Sequence, residues 1–398
     1  MEGQKKESFS SENKNQALFL NAKETNNSDN KDKEKIKALK NKDPFSNLHD
    51  AKNFLYECCK EFDEKFELLE LIKSGSAGAV FRGQLRKNPK QNAKQIAFKF
   101  LLENIKEHNE IIKDREKKTK EKSKKRDKYQ HMEISIHGML KFKHIPEIYG
   151  YYKIENSSCI AMEFNKYGDL ENFKKKILKR GALSETLVLY IAGGIIEALN
   201  YIHTKNKIIH MDIKQQNVLI DDFLTVKLTD FSVSLNYTKS DNYIKLPMVG
   251  TCYYMSPEVL NKATIKVSDA SKIDIYSLGV LLYLLAFYDY PYNLNDVGSK
   301  DYPQIAKNIK EKKLEFPQDT GHSKVFMNFL ENCLNKDICQ RYDIKKVMKH
   351  PWFKGYQIIL DEKEKLYNAG KFIIDLMVDN IMSLNNYIKE QENNLLHQ

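Results

Sequence analysis

Four side chains able to run a group transfer fall close together in this chain. They are Asp212, Lys214 and Asn217 in His210-Met211-Asp212-Ile213-Lys214-Gln215-Gln216-Asn217, and Asp230 in Thr229-Asp230-Phe231-Ser232. A carboxylate and an amide supply the oxygens that Mg²⁺ takes, and a second carboxylate is left to accept a proton. The stretch from Val218 to Leu228 reads as a β-hairpin, with an apolar run, an Asp221-Asp222 turn and a second alternating run. A hairpin brings its ends together, so Asp212, Asn217 and Asp230 are expected at one mouth.

The elements that must hold this mouth follow from hydrophobic periodicity. Phe66 to Ile72 begins a strand, followed by Lys73-Ser74-Gly75-Ser76-Ala77-Gly78-Ala79-Val80-Phe81-Arg82-Gly83. Small residues there let backbone N–H groups approach phosphate oxygens, although a plain hairpin fits the same pattern. Gln95 to Phe100 is an alternating strand carrying Lys99. Met132 opens an amphipathic helix that ends at His144-Ile145-Pro146, and strands follow at Glu147 to Tyr152 and Ser158 to Phe164. Beyond a turn at Lys166 to Leu170 the composition turns helical: Ser184 to Thr204 with Ser184 as N-cap, a nearly all-apolar Ser271 to Phe287, Val325 to Leu334, and Ile344 to Met348. The fold class is therefore α+β, a small β-rich part before a larger helical part.

Outside this body the chain changes character. Residues 1–44 are polar and charged with few apolar positions, and are expected to be disordered. Residues 45–64 form a helical extension with Leu48, Ala51, Leu55, Cys58, Cys59 and Phe62 on one face. Residues 103–131 are almost wholly charged and read as a solvated insertion. In residues 355–398, Ile373, Met377, Ile381, Leu384 and Ile388 share a helical stripe, to be docked on the body or offered to a regulatory partner.

Composition narrows the class. The 398 residues are 41% hydrophobic, enough for a sizeable core, and the net charge of +11 is spread among interleaved glutamates. Basic segments without interleaved aromatics argue against nucleic acid as a partner. No apolar run reaches membrane-spanning length, and the opening Met-Glu-Gly-Gln-Lys-Lys has no apolar signal region. The six cysteines show no metal-ligand spacing with histidine, which fits reduced thiols in an intracellular protein, cytoplasmic or nuclear.

Taken in order, these motifs resemble a eukaryotic protein kinase of the serine/threonine type over residues 65–354, with an N-lobe at 65–164 and a C-lobe at 165–354. The resemblance rests on Gly75 and Gly78, Ala97-Phe98-Lys99, His210 to Asn217, Asp230-Phe231-Ser232, Ser256-Pro257-Glu258, Asp274-Ile275-Tyr276-Ser277-Leu278-Gly279, and Arg341 before His350-Pro351-Trp352-Phe353. It implies the two-lobed kinase fold, ATP and Mg²⁺ as cofactors, and protein substrates with Ser/Thr acceptors. Lys99 is then expected on the α- and β-phosphates, Asp212 as the base, Lys214 neutralising the transferring phosphoryl group, and Asn217 and Asp230 as metal ligands. Ile72, Gly75, Ser76, Gly78, Val80, Ala97 and Leu219 are expected among the nucleotide contacts. Met162 is expected as gatekeeper, Glu163, Phe164 and Asn165 as hinge, and Asp169 near the ribose. Glu258 is expected to pair with Arg341, Asp274 to accept from the catalytic-loop backbone, and Thr251 to support the base.

Several residues depart from the family pattern. Lys73 stands for the first glycine of the loop. Ser232 stands for the glycine of the metal triplet and is expected to tolerate positive φ poorly. Glu133 is preferred as the partner of Lys99, which puts His137 where an apolar residue is usual; choosing Ser135 instead would put Met139 there. Met211 replaces an arginine that in many kinases pairs with activation-segment phosphate, a contact methionine cannot make. The usual acceptor position near Gly250 holds Pro247, leaving Ser234, Thr238 and Ser240 upstream. An active enzyme that needs no activation-segment phosphorylation is therefore expected. A pseudokinase scaffold and a small-molecule kinase are the rival readings.

Overall fold

The computed structural model describes residues 45–75, 78–86, 94–101, 133–154, 157–179, 181–237, 242–365 and 382–396. Residues 1–44, the whole charged insertion, Ser76, Thr238, Ser240, Ile373, Met377 and Ile381 lie outside them. The chain divides into two compact units, one containing residues up to 119 with Ile148–Met162, the other Lys120–Glu147 with Glu163–Gln398.

The first unit is a five-stranded sheet under two short helices. The helices are α1 (Leu48–Cys58) and α2 (Lys60–Lys65), and the strands are β1 (Phe66–Gly75), β2 (Gly78–Leu85), β3 (Ile96–Leu101), β4 (Ile148–Ile154) and β5 (Ser157–Glu163), in sheet order β1-β2-β3-β5-β4. Asn47 caps α1 by accepting from Asp50 N at 2.9 Å. The helical extension expected over 45–64 is two helices, because Cys59 leaves helical geometry (φ −149°, ψ 69°) and redirects the chain. That break lets Phe54 and Leu55 on α1 and Phe62 on α2 all reach one core. Aromatic rings fill it: Phe45 stacks on Phe100 with centroids 4.3 Å apart, and Phe62 meets Phe98 edge-on at 5.3 Å. Gly78 sits at φ +143°, and a Cβ there would come within 2.0 Å of Phe100 O. The glycine is thus required by close packing of β2 on β3.

The second unit is mainly helical. A helix over 133–139, α3, ends before Leu140, whose N–H bonds His137 O at 3.0 Å, so it is shorter than expected. Small β elements follow: β6 (Gly168–Asp169), β7 (Ile208–Ile209), β8 (Val218–Ile220), β9 (Val226–Leu228), β10 (Leu235–Asn236), β11 (Tyr243–Lys245) and β12 (Thr264–Lys266). The helices are α4 (Leu170–Phe173), α5 (Glu185–Asn200), α6 (Pro257–Leu260), α7 (Lys272–Phe287), α8 (Tyr302–Glu311), α9 (Lys324–Cys333), α10 (Ile344–Lys349), α11 (Pro351–Lys365) and α12 (Met382–Leu396). Ser184 caps α5 as expected, accepting from Leu187 N.

Two segments, Glu185–Asn206 and Val267–Phe287, are long and apolar enough to cross a membrane, which corrects the expectation of no such run. Their most apolar windows are 83% and 94% buried within the unit, so both are core helices. Buried polar groups tie the helices together. Glu185 accepts from Trp352 Nε1 at 2.9 Å and from Ser323 N at 2.6 Å, joining α5, α9 and α11. Helix α12 docks through Leu384, which is buried, and Tyr387 donates to Pro351 O at 2.9 Å. The described part of the C-terminal stripe is therefore used inside the unit.

His350 holds the start of α11: Trp352 N donates to its Nδ1 at 3.2 Å, and its Nε2 bonds Asn328 Oδ1 at 3.1 Å. Burial lowers its pKa from 6.5 to about 4. The unfolded chain then takes up this proton before the folded one, so stability falls as pH drops from 6.5 towards 4. Urea midpoints followed by circular dichroism between pH 6 and 5 are expected to lose about 1.4 kcal/mol per pH unit from this group. His350→Gln should remove that part of the slope.

Candidate active site

The β8–β9 hairpin forms as the apolar runs pair, with Val218 opposite Leu228 and Ile220 opposite Val226. Its turn is organised by Asp221, whose Oδ1 accepts from Phe223 N at 2.9 Å and Thr225 N at 2.7 Å. At the open end Thr229 N donates to Asn217 O at 3.0 Å. The hairpin therefore does bring the catalytic-loop end and the metal triplet to one mouth.

Asp212 is the centre of the cluster. Its Oδ1 accepts from Thr251 N and Thr251 Oγ1, both at 2.8 Å. Its Oδ2 accepts from Lys214 Nζ at 2.5 Å and Asn217 Nδ2 at 3.0 Å. Lys214 Nζ also reaches Thr251 Oγ1 at 2.8 Å, so base, ammonium and hydroxyl form a closed triangle. Asn217 further donates to Asp212 O at 2.7 Å, which leaves its amide oxygen as the atom a cation would take.

The loop itself is gripped from α7. Asp274, fully buried, accepts from His210 N at 2.7 Å, Met211 N at 2.9 Å and His203 Nε2 at 2.8 Å. This is the contact expected of Asp274. Met211 is held at φ +71°, an unusual conformation for a long side chain. Gly250 lies against it, and a Cβ there would come 2.5 Å from Met211 O. Ser234, also buried, donates to His210 O at 3.1 Å.

In the metal triplet the residue with positive φ is Asp230, at +69°, and not Ser232. Serine there needs none of glycine's freedom, which corrects the expected strain. Phe231 is buried between His210 (centroids 4.9 Å) and His137 (5.1 Å). His137 bonds Pro146 O at 2.9 Å through Nε2, whereas Met139 is 57% exposed. The packing position on α3 thus belongs to His137, in the register that goes with Glu133, itself buried.

The remaining candidates fall in their own units. In the first, β2 and β3 set Val80 opposite Lys99 and Arg82 opposite Ala97. Gly75 ends β1, Ile72 is exposed on it, and Met162 is buried on β5 opposite Ile148. In the second, Leu219 is paired with Asp169 across β8 and β6. Asp169 is spent on capping α4, accepting from Asn172 N at 2.8 Å and Asn172 Nδ2 at 3.0 Å. Phe164 is half-buried and Asn165 buried.

Two roles escaped the sequence reading. Glu163 was expected to act through its backbone, yet its carboxylate accepts from the buried Lys227 Nζ at 3.0 Å and from Glu147 N at 3.1 Å. Glu171 accepts from Gln216 Nε2 at 2.5 Å and Lys175 Nζ at 2.7 Å, which places a carboxylate beside the catalytic loop. Next to it, burial lowers the Lys174 pKa to about 8, with Glu171 opposing the shift.

Among the described residues no group of three His, Cys, Asp or Glu side chains could hold a metal alone. Asn217 and Asp230 instead suit a hard cation that completes its shell with water and phosphate oxygens. In the helical unit Arg341 and Glu258 form a buried two-bond pair, at 2.6 and 3.1 Å, with Tyr276 under the guanidinium.

A family model for the protein kinase domain matches residues 66–353. The dual specificity mitogen-activated protein kinase kinase jkk-1 of Caenorhabditis elegans is 30% identical over 297 residues, 73% of this chain and 62% of that protein. The MAP kinase kinase MKK1/SSP32 of Saccharomyces cerevisiae is 31% identical over 249 residues, covering 61% and 46% respectively. The serine/threonine-protein kinase dst2 of Dictyostelium discoideum is 30% identical over 296 residues, covering 73% and 23%. The chain thus spans less than two thirds of the length of each of these relatives.

Thr251→Val tests the triangle at the base. It removes the hydroxyl but keeps the backbone bond, and one lost charge-assisted hydrogen bond corresponds to roughly a 10- to 100-fold fall in kcat. The KM for ATP should stay within about twofold, because the contact acts on the acceptor side. Thr251→Ser should restore most of the rate.

Proposed function

The chain belongs to the protein kinase family, and on that premise we propose that it is an active enzyme transferring the γ-phosphoryl group of ATP to serine or threonine hydroxyls of proteins. The observation that carries this reading is the four-donor cradle around Asp212, shared with Lys214 and Thr251. The substrate hydroxyl gives its proton to Asp212 as its oxygen bonds to the γ-phosphorus, and the bond from that phosphorus to the bridging oxygen breaks to release ADP. Lys214 stabilises the charge on the phosphoryl oxygens. Lys99 holds the α- and β-phosphates and takes Glu133 as its partner, a pairing that the His137 register supports. Asn217 and Asp230 would hold Mg²⁺, which would supply positive charge to offset that of the phosphates.

On this reading residues 65–354 are the catalytic domain, and the protein works inside the cell. The intact set Lys99, Asp212, Lys214, Asn217 and Asp230 weighs against a pseudokinase scaffold. The peptide-side pair Glu258–Arg341 weighs against a small-molecule kinase. With Mg-ATP and a mixed peptide panel, transfer to Ser/Thr peptides is expected, and Asp212→Asn should abolish it. Transfer no greater than that of Asp212→Asn would favour the scaffold. Because one relative is named a dual specificity kinase, the panel includes tyrosine acceptors, and equal rates on tyrosine would overturn the Ser/Thr assignment.

The activation segment is read as needing no phosphate. Three observations support this. Met211 is buried and offers no charge. Ser234 is buried and already bonded to His210 O. Strand β11 pairs with β12, continued by Leu246 N to Ala263 O and Val267 N to Asn242 O, each at 3.0 Å. That ladder anchors the segment through its backbone, where an arginine–phosphate pair would otherwise do so. Phosphatase-treated protein should retain its full kcat. A loss on treatment, traced by mass spectrometry to Thr238 or Ser240, would sink this reading.

A further inference from the structure

Away from the active site, the helical unit carries a cleft of about 1070 Å³. It lies between the end of the helical run that follows α5, the β11–β12 pair and the start of α10. Three lysines from separate elements line it: Lys207, Lys266 and Lys345. All three are exposed, and among the described residues none makes an ion pair. Among the described lining residues the carboxylate is Asp343, whose Oδ1 caps α10 by accepting from Lys346 N at 2.9 Å, so the lysines outnumber it three to one. Three like charges facing one cavity raise each other's energy unless an anion enters.

A second feature points the same way. His203 lines the cleft, is only 2% exposed, and its Nδ1 is buried with no hydrogen-bond partner. Its Nε2–H is committed to Asp274, which leaves Nδ1 as a lone-pair acceptor for an N–H of an occupant, such as a peptide backbone amide. A buried polar atom without a partner destabilises the empty cleft, and a bound group that pairs with it offsets that cost.

We propose that this cleft binds an acidic peptide segment of a partner protein. Its volume is at the upper end of small-molecule sites and far exceeds that of a single anion. A membrane would present its charge as a plane, which a concave lining with a buried ring does not match. The hydroxyls of Ser268 and Tyr243 add polar contacts suited to a peptide backbone.

The probe is a fluorescein-labelled decamer of glutamate, titrated into the full chain and followed by anisotropy. Wild type is expected to bind at least about tenfold more tightly than Lys207→Glu/Lys345→Glu, and more weakly as salt rises. Lys312→Glu/Lys313→Glu, an equal charge change outside the cleft, should keep wild-type affinity. As an independent readout on wild type, the peptide should slow acetylation of Lys207, Lys266 and Lys345 by acetic anhydride, measured by mass spectrometry. Equal losses in both variants, or unchanged labelling of the three lysines, would overturn the proposal. So would inorganic phosphate competing as tightly as the peptide, or binding confined to phosphatidylserine vesicles.

Discussion

One carboxylate, that of Asp274, sets the geometry on which the active site depends. A buried carboxylate is costly unless its lone pairs are filled, and here two backbone N–H groups and a histidine fill them. The two backbone bonds pin His210 and Met211, including the positive φ that Met211 would not adopt unaided. From Met211 the constraint passes in two directions. Along the chain it aims Asp212 at Lys214 and Asn217. Across space it leaves room only for a glycine at 250, which delivers Thr251 to the far side of Asp212.

Asp274 can do this because α7 is rigid. Two residues further on, Tyr276 lies beneath the guanidinium of Arg341, and Arg341 grips Glu258 at the end of the activation segment. One helix therefore references both the catalytic loop, through Asp274, and the end of that segment, through Arg341 and Glu258. Glu185 plays a comparable part at the other end of the unit, tying α5 to α9 and α11 through a single carboxylate. Charged groups appear in this interior where one side chain can satisfy several partners at once.

What the sequence made legible was chemistry carried by backbone geometry or by local spacing. The hairpin 218–228 and the Ser184 cap follow from short patterns, whereas the Glu258–Arg341 pair and the grip of Asp274, 83 and 64 residues across, came only through the family resemblance that the motif order carries. Less legible was anything decided by packing between distant segments. The break at Cys59 answers to a ring cluster, including Phe98 and Phe100, that lies some forty residues away. Glu163 and Lys227 are 64 residues apart, and Glu171 and Gln216 are 45 apart. Each of these side chains had many possible partners in a chain so rich in lysine and glutamate. The choice between His137 and Met139 turned on which one meets Phe231, and local periodicity allowed both.

The lone tryptophan has an optical consequence. Trp352 is fully buried in the helical unit, within 4.7 Å of the rings of Phe326 and Phe329, and its indole N–H is bonded to Glu185. Its emission therefore reports the assembly of α5, α9 and α11. The sheet unit holds no tryptophan and adds nothing to that emission. A fluorescence-detected transition thus follows the helical unit alone, whereas circular dichroism sums over both units of the chain.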